Sequence, residues 1–210
     1  MKVLSATPSP YARKVRIALH EKGLPFELVT EVPWNKGASA PLFNPLGKIP
    51  VLILDDGTTV YESRFILEYL ELKYPDTPLL PRDIDGILAA KRLEVLADGV
   101  CDAIVLTFIE RQRSERQQSF EWMARQRAKI DAGLAEIARL VRPDTLYANG
   151  PAFGHGDIAV GCVLGYMDLR FPELPWRQYS HLDGLFVRLS SRPSFRDTTP
   201  VVQTITDTMA

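Results

Sequence analysis

Asn44-Pro45-Leu46-Gly47-Lys48-Ile49-Pro50-Val51 is the stretch on which the reading of this chain turns. Two prolines and a glycine within eight residues force a turn, and the apolar run Val51 to Leu54 that follows it is a buried strand. Pro50 stands where strand-like residues begin, so it is either the start of an edge strand or a cis peptide that locks a tight turn. Either arrangement leaves the backbone amide and carbonyl of Ile49 free. A rigid turn with an unpaired backbone edge can bind an extended peptide as an added strand, with main-chain hydrogen bonds supplying the affinity. A small peptide is therefore the first ligand to expect.

Upstream of this turn, Val3 to Ala6 reads as a strand, and Thr7-Pro8-Ser9-Pro10 breaks it and starts a helix. Ser9 occupies the N-cap position, and Pro10 suits the first helical position because its missing N–H had no partner there anyway. Val15, Ala18 and Leu19 form an i, i+3, i+4 stripe, Gly23 and Pro25 end the helix, and Phe26 to Val29 is a second strand. The result is a βαβ unit with parallel strands. Downstream, Val51 to Leu54 and Thr59 to Tyr61 flank Asp55-Asp56-Gly57, a hairpin signal. Ser63 then caps a third helix with the stripe Ile66, Leu67 and Leu70, ending before Pro75. The order βαβ then ββα, with Pro50 heading the third strand, resembles the thioredoxin fold.

The chain has 210 residues, enough for one compact unit or two unequal domains. Residues 76–84, with Pro78 and Pro81 and little periodicity, read as a linker between a domain at 1–75 and one at 85–210. The second domain reads as all-helical. Long helices are expected from Gly86 to about Ser114 and from about Ser119 to Val141, the latter striped by Phe120, Met123, Ile130, Leu134, Ile137 and Val141. Ile158 to Met167 is apolar nearly all round, the mark of a central buried helix. Ser180-His181-Leu182-Asp183 has the spacing of a capping box opening a further helix.

With 46% hydrophobic and 24% charged residues and a net charge of −1, the composition is that of an ordinary globular protein and points to no nucleic-acid or anionic-membrane partner. No stretch approaches the roughly 18 apolar residues of a spanning helix, and no leader is evident, so a cytoplasmic location is expected. Cys101 and Cys162 fit no metal-ligand or Cys-x-x-Cys spacing and read as buried thiols. No metal is expected.

Taken together, Ser9-Pro10-Tyr11 opening helix one, the Asn44 to Val51 motif, Glu62-Ser63 opening helix three and the helical second half resemble the cytosolic glutathione transferases, of the bacterial, serine-type, theta-like kind. The resemblance covers almost the whole chain and implies a thioredoxin-like α/β N-terminal domain followed by an all-α domain. Asp157 and Arg192-Pro193-Ser194-Phe195 match further landmarks, whereas Gly154 replaces the Ser or Thr the family usually sets three residues before that aspartate. Glycine as an N-cap gives up only a few tenths of a kcal/mol.

The resemblance also assigns roles. The implied co-substrate is glutathione, a tripeptide thiol that must be held as thiolate. Ser9 is the implied catalytic residue, with simple capping as its bland alternative and Thr7 and Tyr11 as substitutes. Glu62 and Ser63 would take the ammonium and carboxylate of the γ-glutamyl end, Ile49 and Pro50 would present backbone to the cysteinyl unit, and Lys48 or Asn35 would meet the glycyl carboxylate. Tyr11 and Phe108 would line the second-substrate pocket. With no cysteine near Ser9, a thiol-transferase cycle through a mixed disulfide lacks its nucleophile. Thiolate attack on a small electrophile, or peroxide reduction, stays open. A homodimer is implied. The alternative from another class is a non-catalytic, glutathione-transferase-like binding or regulatory protein.

Overall fold

Four short strands, β1 (Lys2–Ser5), β2 (Glu27–Thr30), β3 (Val51–Ile53) and β4 (Thr59–Tyr61), make one sheet in the order β2-β1-β3-β4. The computed structural model describes residues 1–206. β1 and β2 are parallel, with Lys2 opposite Glu27 and Ser5 opposite Thr30; β3 runs antiparallel to both β1 and β4. Val3 pairs with Leu52 and Leu4 with Val51. All four are buried, as the central strands of a sheet covered on both faces must be. Because neighbouring side chains alternate, Leu4 and Val51 share one face, where they pack with Ala40, Phe43 and Ile49.

Three helices accompany these strands within residues 1–79. In α1 (Pro10–Glu21) the Ser9 oxygen accepts the Ala12 N–H at 3.2 Å, the cap anticipated from sequence. The helix stops at Lys22, and Gly23 takes φ +66°, the left-handed conformation that glycine adopts without a Cβ penalty. A single turn, α2 (Ala40–Phe43), precedes the central turn, and α3 (Ser63–Lys73) follows β4. Here the cap expectation is corrected. Glu62 holds the N-cap position and Ser63 is the first helical residue, with its hydroxyl donating to Glu62 Oε1 at 3.2 Å rather than closing the helix end.

The second unit is helical: α4 (Ile84–Glu110), α5 (Phe120–Leu140), α6 (His155–Arg170) and α7 (Ser180–Ser190), with one-turn 3-10 segments at Glu115–Gln117 and Trp176–Gln178. α4 starts two residues before the expected Gly86 because Asp83 caps it, its Oδ1 accepting the Gly86 N–H at 2.7 Å. Ser119 caps α5 through the Trp122 N–H at 3.2 Å. Every residue from His155 to Met167 is buried, which makes α6 the central helix that its composition announced. Asp157 ties down its start, accepting the Ala148 N–H at 2.7 Å and the Gly154 N–H at 3.0 Å. Ser180 is the first residue of α7 and not its cap; Tyr179 precedes the helix and makes no side-chain cap bond.

Contacts divide the chain after Leu79, and the segment from Arg192 groups with the first unit although its sequence position had placed it in the helical domain. The reason is α8 (Pro193–Arg196) and its neighbours, which anchor on α1. Arg192 grips the Glu21 carboxylate with Nε at 3.0 Å and a terminal nitrogen at 2.6 Å, and the Ser194 hydroxyl donates to the same carboxylate. Arg13 donates to the Phe195 carbonyl at 3.1 Å and Arg16 to the Thr198 carbonyl at 3.3 Å. This cover explains why α1 buries Arg13 and Arg16 beside its apolar stripe.

Candidate functional site

Strand register gathers the motif residues at one end of the sheet. Ser5 and Thr30 are the paired C-terminal residues of the parallel strands, so the loops carrying Thr7 to Ser9 and Val32 to Asn35 leave the sheet side by side. Leu4 pairs with Val51, the first residue of β3, and Val51 with Tyr61, the last of β4. Ile49 and Pro50 therefore enter, and Glu62 and Ser63 leave, at this same end. Ligands of open α/β sheets bind outside the carboxyl ends of parallel strands, and this end of the sheet is that place.

Each element presents a different group. At the N-terminus of α1, where the helix dipole favours negative charge, the Ser9 oxygen is engaged as acceptor by Ala12, which leaves the hydroxyl hydrogen available to donate. Thr7, the substitute donor, is already committed: its hydroxyl donates to the Val201 carbonyl at 2.9 Å. The Ile49–Pro50 peptide is cis, and among the described residues the Ile49 backbone enters no hydrogen bond within the chain. Ile49 packs its side chain on the Leu4–Ala40–Val51 cluster, so its free edge belongs to a fixed residue.

Glu62 is the only non-glycine with positive φ among the described residues, at φ 72° and ψ 124°. Such backbone costs on the order of 1–3 kcal/mol and persists where the surroundings enforce it, which occurs most at binding sites. Its half-exposed carboxylate lies 4.0 Å from Arg64 Nε and accepts the Ser63 hydroxyl. Glu62 makes no side-chain cap bond to α3, and the buried Ser63 heads the helix, at the end where its dipole favours an anion.

Other expected residues are less gathered. The Lys48 side chain is exposed in the central turn, and its carbonyl accepts the Asn44 carboxamide at 2.8 Å. Asn35 is half-buried in the loop after β2, its Oδ1 accepting the Thr206 N–H at 3.0 Å. Tyr11 is half-buried in the first turn of α1. Phe108 lies on α4 of the other unit, where the Arg170 guanidinium covers its ring at 3.8 Å. That unit also holds a cleft of about 630 Å³ bounded by Thr107, Arg111, Phe120, Met123, Phe171 and Leu174, of which Phe108 is not a lining residue. Among the described residues no group of three or more His, Cys, Asp and Glu could hold a metal ion, and no helix is long and apolar enough to cross a membrane. Cys101 and Cys162 are buried, and neither is joined in a disulfide.

Residues 8–73 match the model of the glutathione S-transferase N-terminal domain, and residues 120–186 that of the glutathione S-transferase C-terminal domain. The Escherichia coli protein YibF, described as an uncharacterized GST-like protein, is 37% identical over 95% of this chain and 98% of its own length. This chain belongs to the glutathione S-transferase family. Among solved structures, a glutathione S-transferase of Methylobacterium radiotolerans in complex with glutathione sulfonate is 61% identical with a TM-score of 0.97, covering 100% of this chain and 99% of that one. One from Methylobacillus flagellatus with glutathione bound is 40% identical with a TM-score of 0.90, covering 95% and 99%.

Within this glutathione S-transferase scaffold, sequence reading missed two features. Asn44 is buried and braces the central turn from inside, for which an asparagine ahead of a proline was the only local sign. The contacts of Val201, Gln203 and Thr206 with Thr7 and Asn35 had no local sign, because they join positions more than 170 residues apart.

Proposed function

We propose that this chain is a glutathione transferase that binds the tripeptide across the sheet end and activates its sulfur with Ser9. The observation that carries the reading is the Ser9 hydroxyl, fixed by Ala12 with its hydrogen unspent, on the same sheet end as the unpaired Ile49 backbone. A free thiol titrates near ~8.5, and lowering it by ~2 units, about 2.7 kcal/mol, makes most of it thiolate at neutral pH. A hydrogen bond to a charged group contributes ~1.5–3 kcal/mol, so one hydroxyl at a helix N-terminus accounts for most of the shift.

In this arrangement the Ile49 N–H and C=O pair with the cysteinyl unit as an added strand, beside Pro50. The N-terminus of α3 takes the γ-glutamyl carboxylate and Glu62 its ammonium, the Ser63 hydroxyl turning from Glu62 to donate to that carboxylate when the ligand arrives. Lys48 and Asn35 meet the glycyl carboxylate. Tyr11 borders the sulfur on the side of the incoming electrophile, and Phe108 contributes to electrophile recognition from its own unit. The thiolate attacks a small electrophile to form a thioether, or breaks a peroxide O–O bond with loss of hydroxide or alkoxide, a second glutathione then closing the disulfide; two copies of the chain form the working dimer in the cytoplasm. Against the alternative of a non-catalytic binding or regulatory protein, the strained Glu62 at the start of α3 supports retained ligand binding, and the unspent Ser9 hydroxyl supports catalysis.

Ultraviolet titration of bound glutathione tests the assignment. The thiolate band is expected to appear one to two pH units higher in Ser9→Ala than in the wild type, in line with loss of one charged hydrogen bond of ~1.5–3 kcal/mol. Superimposable titrations would remove Ser9 from the chemistry.

A further inference from the structure

The segment after α8 comes back to both loops that carry the site. Thr7, two residues before Ser9, donates its hydroxyl to the Val201 carbonyl at 2.9 Å and its N–H to Gln203 Oε1 at 3.2 Å. Further along, the Thr206 N–H donates to Asn35 Oδ1 at 3.0 Å. From Gln203 to Thr206 the chain reaches at most ~10 Å, about the length of an extended tripeptide. α8 anchors the segment at its other end, through Arg13, Arg16 and Glu21.

We propose that Thr206 is a positioning residue for the glutathione site, acting through Asn35; this rests on the glutathione reading above. A carboxamide has an acceptor end and a donor end, and a ligand carboxylate can use only the donors. By occupying Oδ1, the Thr206 N–H turns the Asn35 Nδ2 hydrogens away from the chain's own backbone and holds them ready for the glycyl carboxylate. The side chain is thereby ordered before the ligand arrives, which removes part of the cost of ordering it on binding. The Thr7 contacts with Val201 and Gln203 deliver Thr206 to Asn35. They also use up the Thr7 hydroxyl, so that Ser9 alone in that loop keeps a hydroxyl to offer a thiolate.

The substitution that isolates the effect is Thr206→Pro, because proline lacks the N–H that holds Asn35, whereas Thr206→Ala retains it. Glutathione affinity is measured by calorimetry on the 210-residue chain, and kcat and KM with any electrophile the wild type turns over. Thr206→Pro is expected to weaken glutathione binding roughly three- to tenfold, raising KM for glutathione with kcat at saturation retained, and Thr206→Ala to restore wild-type affinity. In an Asn35→Ala background, Thr206→Pro should add no further loss, since its target is gone. Equal losses in the Pro and Ala variants, additive losses with Asn35→Ala, or no loss in Thr206→Pro would each overturn the proposal while leaving the glutathione reading intact. A wild-type protein that gives no heat with millimolar glutathione would overturn that reading, and this proposal with it.

Discussion

Asn44 spans its own turn and holds Lys48: its Nδ2 donates to the Lys48 carbonyl at 2.8 Å while its Oδ1 accepts the Leu46 N–H at 2.9 Å. The side chain is buried, so each of these bonds satisfies a group that water cannot reach. Ile49 follows directly, and its backbone direction depends on where Lys48 is held. Asn44→Ala is expected to cost about 1–3 kcal/mol in denaturant unfolding, by leaving two backbone groups unpaired. Glutathione affinity should fall with it. Pro45→Ala, at an exposed position of the same turn, should cost under about 1 kcal/mol and leave affinity near wild type. Equal losses in the two variants would mean that Asn44 does not brace the site.

The strained backbone of Glu62 should separate stability from binding. Glycine accepts φ 72° without the penalty a side chain carries, but adds roughly 0.5–1 kcal/mol of entropy cost on folding. Against a strain of about 1–3 kcal/mol, Glu62→Gly is expected to leave stability unchanged or raise it by up to about 2 kcal/mol. It removes the carboxylate assigned to the γ-glutamyl ammonium, so calorimetry should show glutathione bound at least tenfold more weakly, the equivalent of ~1.4 kcal/mol. A variant both less stable and normal in binding would contradict both halves of this account.

Acid should loosen the grip of the C-terminal segment on α1. Burial pushes the Glu21 carboxyl up, but hydrogen bonds from Arg192 and Ser194 together with the Arg192 charge outweigh it and hold Glu21 below the ordinary value. With its folded pKa depressed, this group's contribution is fully present above the ordinary value of 4.5 and is lost as pH falls through the lower folded value. Glu21 is half-buried, so the contribution is discounted for screening, and Arg192→Ala is expected to cost about 1–2 kcal/mol at neutral pH. Unfolding of Glu21→Gln followed below pH 5 should show a flatter pH dependence than the wild type. Parallel curves would exclude Glu21 as an acid-sensitive tie.

The close approach of α4 and α5 depends on a missing side chain. A Cβ added at Gly133 would stand 2.4 Å from Val100 Cγ2, well inside van der Waals contact. Gly133→Ala is therefore expected to destabilise by about 1–3 kcal/mol despite alanine's higher helix propensity. Val100→Ala makes room, so the double variant should recover part of the loss, and a double-mutant cycle reads the coupling directly. Additive losses would show that the two residues do not meet.

The local pattern determined a good deal. Ser9 and Pro10 specified the start of α1, Asp55-Asp56-Gly57 the β3–β4 hairpin, and the all-round apolar run after Asp157 a central buried helix, because caps, turns and periodicity act over a few residues. The Asn44 to Val51 motif marked a rigid turn, because proline and glycine constrain the backbone locally, whereas the unpaired Ile49 edge depends on what packs beside it. Ser63 and Ser180 show where local reasoning fails: both have the sequence of a cap, yet each is the first residue inside its helix, the boundary being set by how the preceding chain enters from β4 or from Tyr179. Only tertiary structure could pair Leu4 with Val51 and Val51 with Tyr61, and so bring Ile49 and Glu62 to the end where Ser9 lies. It alone returned Arg192 to Glu21, Val201 to Thr7 and Thr206 to Asn35. These are hydrogen bonds between partners 171 or more residues apart, for which neither partner's neighbours carry a signal, since the geometry exists only after the sheet, α1 and α8 have packed.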